Sequence, residues 1–363
     1  MVTLPYYRIS RIQMPTVLDV ARRAGVAPIT VSRVINNSGY VSQATRERVE
    51  AAVRELGYVQ NTLARGLRSK RTKTMALVVT DITNPYFTLM ARGVEDVAGE
   101  ANYSVVYCNT DESEVKEEKY ANILAQKQVD GVLLVPSCGN VKTIRFLLSN
   151  GIAVVTLDRR VSGVEIDSVR SDSEDGAYRL VKLLIELGHQ RMAMIAGSQN
   201  VSTSTDRVAG YQRALTEAGM IENELVYYGT FNQQSGYELT KQAMMQLPQP
   251  TAVFGANNFI MIGIIKALRD LGLNVPEDVS VVGFDDLPES MLVAPFLTVA
   301  AQPAYEMGRM ATERLLKRIS GELSGKYQEF ILPTEILVRT STGPKNKDFA
   351  AEGYNDEHSP GKD

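Results

Sequence analysis

Apolar residues return at helical spacing three times between Thr16 and Gly57. Val17, Val20, Ala21 and Ala24 share one face of a first short helix. Thr16 can cap that helix, with Asp19 three residues on to complete a capping box, and Gly25 ends it. A second helix runs from Pro28 to about Asn36 and is broken by "NNSG" (36–39). The third starts after Ser42, carries Val49, Val53 and Leu56 on one stripe, and stops at Gly57. The basic, polar stretch "NTLARGLRSKRT" (61–72) has little apolar face, so alone it is a linker or a marginal helix.

From Met75 the pattern changes to apolar runs that alternate with helical segments. The runs are "MALVVT" (75–80), "YSVVYC" (103–108), "GVLLVP" (131–136), "IAVVTL" (152–157), "MAMIAG" (192–197), "TAVFGA" (251–256) and "VSVVGF" (279–284). Continuous apolar strands joined by crossover helices predict parallel sheets covered on both faces. The segment is too long for one simple sheet, so two similar lobes are expected, with any ligand at the carboxyl ends of the strands. The polar tail 344–363 is expected to be disordered.

Charge sharpens this division. Residues 1–73 hold 13 Lys+Arg against 4 Asp+Glu, a balance of +9, and the remainder holds 26 against 38, a balance of −12. A basic head on an acidic body points to a polyanionic partner for the head. The 363 residues, 44% hydrophobic, contain no run apolar enough for a membrane span. The first 13 residues lack the apolar core of a secretory signal, so a cytoplasmic protein is expected. Cys108 and Cys138 follow no metal or redox spacing and read as buried, reduced thiols. No cofactor and no metal are expected.

Helix, glycine-containing turn, helix is a DNA-reading pattern. Val31 with Val34 or Ile35 can face the first helix, which leaves Pro28, Ile29 and Arg33 on the outer surface. Proline fits the first helical position, where no intrahelical donor is needed and its φ is already helical.

The string "TVLDVARRAGVAPITVSRVINNSGYVSQATRERVEAAVRELGYVQNTLARGL" resembles the head and hinge of the lactose-repressor (LacI/GalR) family of bacterial transcription regulators. The likeness covers roughly residues 15–343. It implies an α/β chain with an N-terminal three-helix helix-turn-helix head and a hinge. A two-lobed, periplasmic-binding-protein-like body with two parallel, doubly wound sheets then follows. On this reading 1–13 is an extension with Met14 as the natural start. The head is 14–60, the hinge 61–73 and the effector and dimerisation domain 74–343. The N-lobe is about 74–172 with 303–331, and the C-lobe about 173–302 with 332–343.

The resemblance further implies that Pro28, Ile29 and Arg33 read bases and that Leu67 wedges into the minor groove. Thr30, Ser32, Asn36, Ser42, Thr45, Asn61 and Ala64 would then contact the DNA backbone. Two positions depart from the family pattern. Ala27 stands where a capping serine or threonine is usual, and Gln60 replaces a common proline.

The body shows no G-x-G-x-x-G after its first strand and no P-loop. Neither His189 nor His358 has a nucleophile–base grouping beside it, which argues against hydrolase chemistry. Strand ends instead carry polar and aromatic residues: Asp81, Asn84, Tyr86, Phe87, Asp158, Arg159, Ser202, Ser204, Arg207, Phe231, Asn257, Asn258, Asp285 and Gln302. Carboxylates and amides suit neighbouring hydroxyls, guanidiniums suit ring oxygens, and aromatic faces suit C–H patches. The set resembles the ribose-binding-protein pattern in Asn84, Tyr86, Phe87, Asp158, Arg159, Arg207, Phe231, Asn257, Asp285 and Gln302. That implies an aldose such as ribose as effector of an operator-binding homodimer, with no membrane partner. Purine-sensing relatives share some of the aromatics. A sugar-binding transport component fits the body alone, and an enzyme on a doubly wound fold lacks a catalytic motif.

Overall fold

The computed structural model describes residues 15–59, 71–287 and 295–345. Met14, Gln60, Asn61, Ala64, Leu67 and the tail beyond Lys345 lie outside the described residues. The chain divides into two compact units between Thr72 and Lys73.

The first unit is the head. Helix α1 (Val17–Ala24) opens with the expected capping box: Thr16 N donates to Asp19 Oδ2 at 2.8 Å and Asp19 N to Thr16 Oγ1 at 3.3 Å. Gly25 closes it at φ +64, a left-handed turn that glycine adopts without strain. Helix α2 (Pro28–Ile35) carries its proline in the first turn, and Ala27 makes no side-chain cap bond. Helix α3 is Gln43–Leu56. Val20, Ala21, Ala24, Val31, Val34, Val49 and Ala52 form the buried centre.

The second unit contains, among the described residues, two six-stranded sheets. The first sheet is built from β1 (Thr74–Val79), β2 (Ser104–Asn109), β3 (Gly131–Leu134), β4 (Ala153–Leu157), β5 (Asp167–Ser171) and β11 (Glu329–Leu332), in the order β11-β5-β4-β3-β1-β2. The second uses β6 (Met192–Ala196), β7 (Leu225–Tyr228), β8 (Ala252–Gly255), β9 (Ser280–Phe284), β10 (Thr298–Ala301) and β12 (Glu335–Leu337), in the matching order β12-β10-β9-β8-β6-β7. All neighbours run parallel except β10 and β12.

Helices α4 (Pro85–Glu100), α5 (Glu114–Gln126), α6 (Lys142–Ser149) and α11 (Ala304–Ser320) cover the first sheet. Helices α7 (Ser173–Glu186), α8 (Ser202–Glu217), α9 (Gln233–Met244) and α10 (Asn258–Asp270) cover the second. The chain therefore passes between lobes three times: from β5 to α7, from β10 to α11, and from β11 to β12.

Five of these strands fall outside the expected apolar runs, among them β10, a buried run of only four residues, "TVAA". β5 is "DSVRS", whose buried Asp167 is held by Arg314 and Arg318. Edge strands β7, β11 and β12 are only half-buried, so their sequences stay mixed. Cys108 is buried inside β2, while Cys138 is half-buried in a loop past β3 and not at the strand end. Burial pushes both thiols up to about 11, so neither is a reactive thiolate at neutral pH.

Helix pairs touch backbone to backbone. A Cβ on Gly93 would lie 2.1 Å from the Tyr305 carbonyl oxygen, and one on Gly308 would lie 2.1 Å from that of Met90. Gly99, on the same helix as Gly93, has open space around it. Gly308→Ala is expected to destabilise the protein by about 3 kcal/mol through overpacking. Gly99→Ala should instead stabilise it by about 0.5–1 kcal/mol through helix propensity. Urea unfolding of the two variants checks this; equal midpoints would show that α4 and α11 can part cheaply.

Candidate nucleic-acid interface and ligand cleft

On the head, Pro28, Ile29 and Arg33 lie together on the exposed side of α2, with Ile29 56% exposed. The Arg33 side chain makes no hydrogen bond to the described residues and rests beside Gly39. Asn36 Nδ2 donates to Ser32 O at 2.8 Å and to Ser32 Oγ at 3.2 Å, and Ser42 Oγ donates to Thr45 Oγ1 at 3.0 Å. Thr30, Arg33, Ser42 and Thr45 line one concave surface together with Val26, Ala27, Tyr40, Val41 and Arg48. Neither α2 nor α3 begins with a side-chain cap bond, so their first N–H groups and positive dipole ends remain available to phosphate.

The sequence reading passed over Tyr40 and Arg48. The available signal was Tyr40 itself: a tyrosine in "NNSGYVS", 91% exposed, with no apolar partner at helical spacing.

In the second unit, a narrow cleft lies between the two sheets at the carboxyl ends of their strands. Asn84, Tyr86, Phe87, Asp158, Arg159, Arg207, Phe231, Asn257, Asp285 and Gln302 all line it, joined by Asp81, Glu112 and Thr203. Local structure aims each group. Asn84 caps α4 by accepting from Tyr86 N at 3.0 Å, and Asn257 caps α10 by accepting from Ile260 N at 2.9 Å. Tyr86 and Phe87, in the first turn of α4, meet edge to face at 5.0 Å. Gly197 makes room for Phe231, since a Cβ there would lie 2.3 Å from the ring.

Asp158 follows β4 and Asp285 follows β9, equivalent places in the two lobes. Both hold left-handed backbone, φ +66 and +69, which non-glycine residues occupy sparingly and aspartate tolerates better than most. Each lobe thus presents one buried carboxylate to the cleft. Tyr86 OH donates to Asp158 Oδ1 at 2.7 Å, and Gln302 Nε2 donates to Asp285 Oδ1 at 2.5 Å. Burial, and then the nearby carboxylates Asp158 and Asp285, hold the Tyr86 hydroxyl well above its usual range, so it stays a donor. Burial also pushes Asp285 up to about 6, against the opposing pull of Arg207 and Gln302.

The two arginines differ. Arg207 lies with its guanidinium 4.0 Å over the Phe284 ring and donates to Ala256 O at 2.5 Å. Arg159 grips Glu112 through both terminal nitrogens at 2.6 Å and also donates to Pro136 O at 2.9 Å. Its expected role on a ring oxygen is therefore left largely to Nε. Among the described residues, Nε of Arg159 and of Arg207 are buried donors with no acceptor, which a ligand oxygen would satisfy. Glu112 carried no sequence signal, because "NTDES" reads as an ordinary loop.

Direct bonds span the lobes. Asn84 Nδ2 donates to Asn258 Oδ1 at 3.1 Å, and Asn258 Nδ2 donates back to Asn84 Oδ1 at 2.8 Å, both side chains being buried. Arg160 N donates to Ser202 Oγ at 2.8 Å, and the Arg160 side chain pairs with Asp206. His189, the one described histidine, bonds to Thr251, Ser280 and Gly343 O and packs away from the cleft lining. No helix among the described residues is long and apolar enough to cross a membrane.

The family model described as bacterial regulatory proteins, lacI family, matches residues 16–61, and one for a periplasmic binding protein-like domain matches 181–342. The chain is 36% identical to the ribose operon repressor of Halalkalibacterium halodurans, over 93% of this chain and 100% of that protein. It is 33% identical to the transcriptional repressor PurR of Photobacterium profundum, over 92% and 100%. Among solved structures, the lac repressor dimer bound to operator and the anti-inducer ONPF superposes with a TM-score of 0.80 at 29% identity, over 91% of this chain and 99% of that one.

Proposed function

The chain belongs to the lacI family of bacterial regulatory proteins, and from that premise we propose that it is a cytoplasmic repressor which binds a pseudo-palindromic operator as a homodimer and responds to an aldose such as ribose. Pro28, Ile29 and Arg33 read base edges, with Arg33 supplying the strong hydrogen bonds. Thr30, Ser32, Asn36, Ser42 and Thr45, with Asn61 and Ala64 of the hinge, set register on phosphates, and Leu67 wedges into the central minor groove.

The observation that carries the effector reading is the pair of buried aspartates from matched strand ends, set among Asn257, Gln302, two arginines and aromatic rings. This is a polyol-recognition set: charged acceptors for adjacent hydroxyls and ring faces for carbon. The relative named for the ribose operon supports the same class. A sugar that bridges the lobes favours the arrangement in which Asn84 pairs with Asn258. It shifts the operator-binding equilibrium only through unequal affinity for the two states.

Calorimetry against ribose, other monosaccharides and purines is expected to give sugar binding. Purine binding without sugar binding refutes the aldose. A gel shift with operator-like DNA is expected to weaken steeply as salt rises, because phosphate contacts release counterions. Affinity indifferent to salt refutes the DNA reading.

A further inference from the structure

Glu112 sits on a loop whose backbone is unusual. Asp111 and Glu112 are consecutive non-glycine residues in the left-handed region, at φ +50 and +56. Such conformations persist only where surrounding bonds enforce them. Here Asn109 Nδ2 donates to Asp111 Oδ1 at 2.6 Å, Lys116 pairs with the same side chain, and Ser113 caps the helix that follows. The loop carries the Glu112 carboxylate to the cleft lining, where both its oxygens meet the 5%-exposed Arg159 guanidinium at 2.6 Å.

The lining otherwise holds Asp81, Asp158 and Asp285 against Arg159 and Arg207. With Glu112 present, acids outnumber bases four to two. Without it, a buried guanidinium would turn an open N–H face toward the ligand, and planar guanidinium faces bind phosphate and carboxylate in two places.

We propose that Glu112 is a specificity-determining residue of this cleft: by occupying both terminal nitrogens of Arg159, it keeps anionic ligands out and leaves the site to neutral polyols. The inference rests on the reading of the cleft as the effector site. A purely structural ion pair would differ in one respect: its loss would weaken every ligand alike. Glutamine in place of Glu112 can accept only one of the two guanidinium bonds and carries no charge, so it uncovers Arg159 while preserving shape.

The test uses the full-length protein and Glu112→Gln, with Glu112→Ala as a second variant that removes the carboxylate and Glu112→Asp as one that keeps it. Calorimetry against D-ribose and D-ribose 5-phosphate gives the ratio of the two affinities. That ratio is expected to move toward the phosphate ester by about tenfold in the Gln and Ala variants and to stay put in the Asp variant. An unchanged ratio overturns the proposal. Sodium phosphate alone supplies an arm independent of any sugar. It is expected to raise the melting temperature of Glu112→Gln and Glu112→Ala by several degrees more than that of the parent protein and of Glu112→Asp, whereas equal shifts overturn the assignment. Failure of the parent protein to bind any sugar refutes the aldose effector, and the phosphate arm still decides Glu112.

Discussion

Asp285→Asn is expected to make the effector-free protein more stable at neutral pH while destroying its sugar binding. The Asp285 carboxyl is 4% exposed, and burial lifts it from 3.8 to about 6. The folded state therefore holds this proton more tightly than the unfolded chain does. The cost of ionising it is absent below about pH 4, grows as pH rises through about 6, and is fully present at pH 7. A gap of this size corresponds to about 3 kcal/mol. Asparagine removes the charge, keeps the Oδ1 acceptor for Gln302, and accepts the left-handed backbone equally well.

The melting temperature at pH 7 should thus rise by several degrees in the variant, with the gain fading toward pH 4. Binding runs the other way. A carboxylate that accepts from two sugar hydroxyls makes charge-assisted bonds, and their loss weakens affinity on the order of 100-fold. In the parent protein the same logic makes sugar affinity fall as pH drops below about 6. A variant that melts lower, or binds sugar as before, would remove Asp285 from the site. The broader point is that the cleft is held in a costly ionisation state that the ligand relieves, so stability and response oppose each other there.

Arg33→Ala is expected to flatten the distinction between operator and random DNA. The guanidinium is exposed, makes no hydrogen bond to the described residues, and shares its helix face with Pro28 and Ile29. Proline has no side-chain donor and isoleucine can only touch a thymine methyl or exclude another base, so hydrogen-bonded readout on this helix concentrates at Arg33. Its loss should cost about 1–3 kcal/mol on operator and far less on random sequence. Pro28→Ala should shift preference at an outer base with little loss overall. Anisotropy titrations on both DNAs across a salt series separate the outcomes. Equal losses on the two, with a shallower salt slope, would make Arg33 a phosphate contact.

How much of this was legible beforehand differs from element to element. The three head helices could be read because caps, glycines and apolar stripes coincide within a few residues, as at Thr16, Asp19 and Gly25. Six strands could be read because strands buried on both faces are continuously apolar, and the edge strand β2 because its "SVVYC" is apolar although mostly exposed. β5 could not, because its Asp167 is buried in an ion-paired cluster that no local pattern shows. In the cleft, Asn84, Asp158 and Asp285 stand at strand ends or helix starts, places where a doubly wound fold exposes side chains to ligand. Glu112 and Arg160 acquire meaning only through partners 47 and 46 residues away, and Asn258, readable as a polar strand-end residue, finds its partner 174 residues away. Contact at such separation belongs to the tertiary fold.

The three passages of the chain between the lobes also set a timetable for synthesis. Each sheet receives its last edge strand from residues 329–337, after every other described strand and helix of the body has been made. As the chain emerges from the ribosome, the head has all it needs once Tyr58 is out. The first lobe must wait, with the edge of β5 uncovered, for β11, and the second waits likewise for β12. Unpaired edges invite association with other chains. A transcript cut short near Gly321 would therefore yield a finished DNA-contacting head on a sticky, unfinished body, and not a smaller regulator.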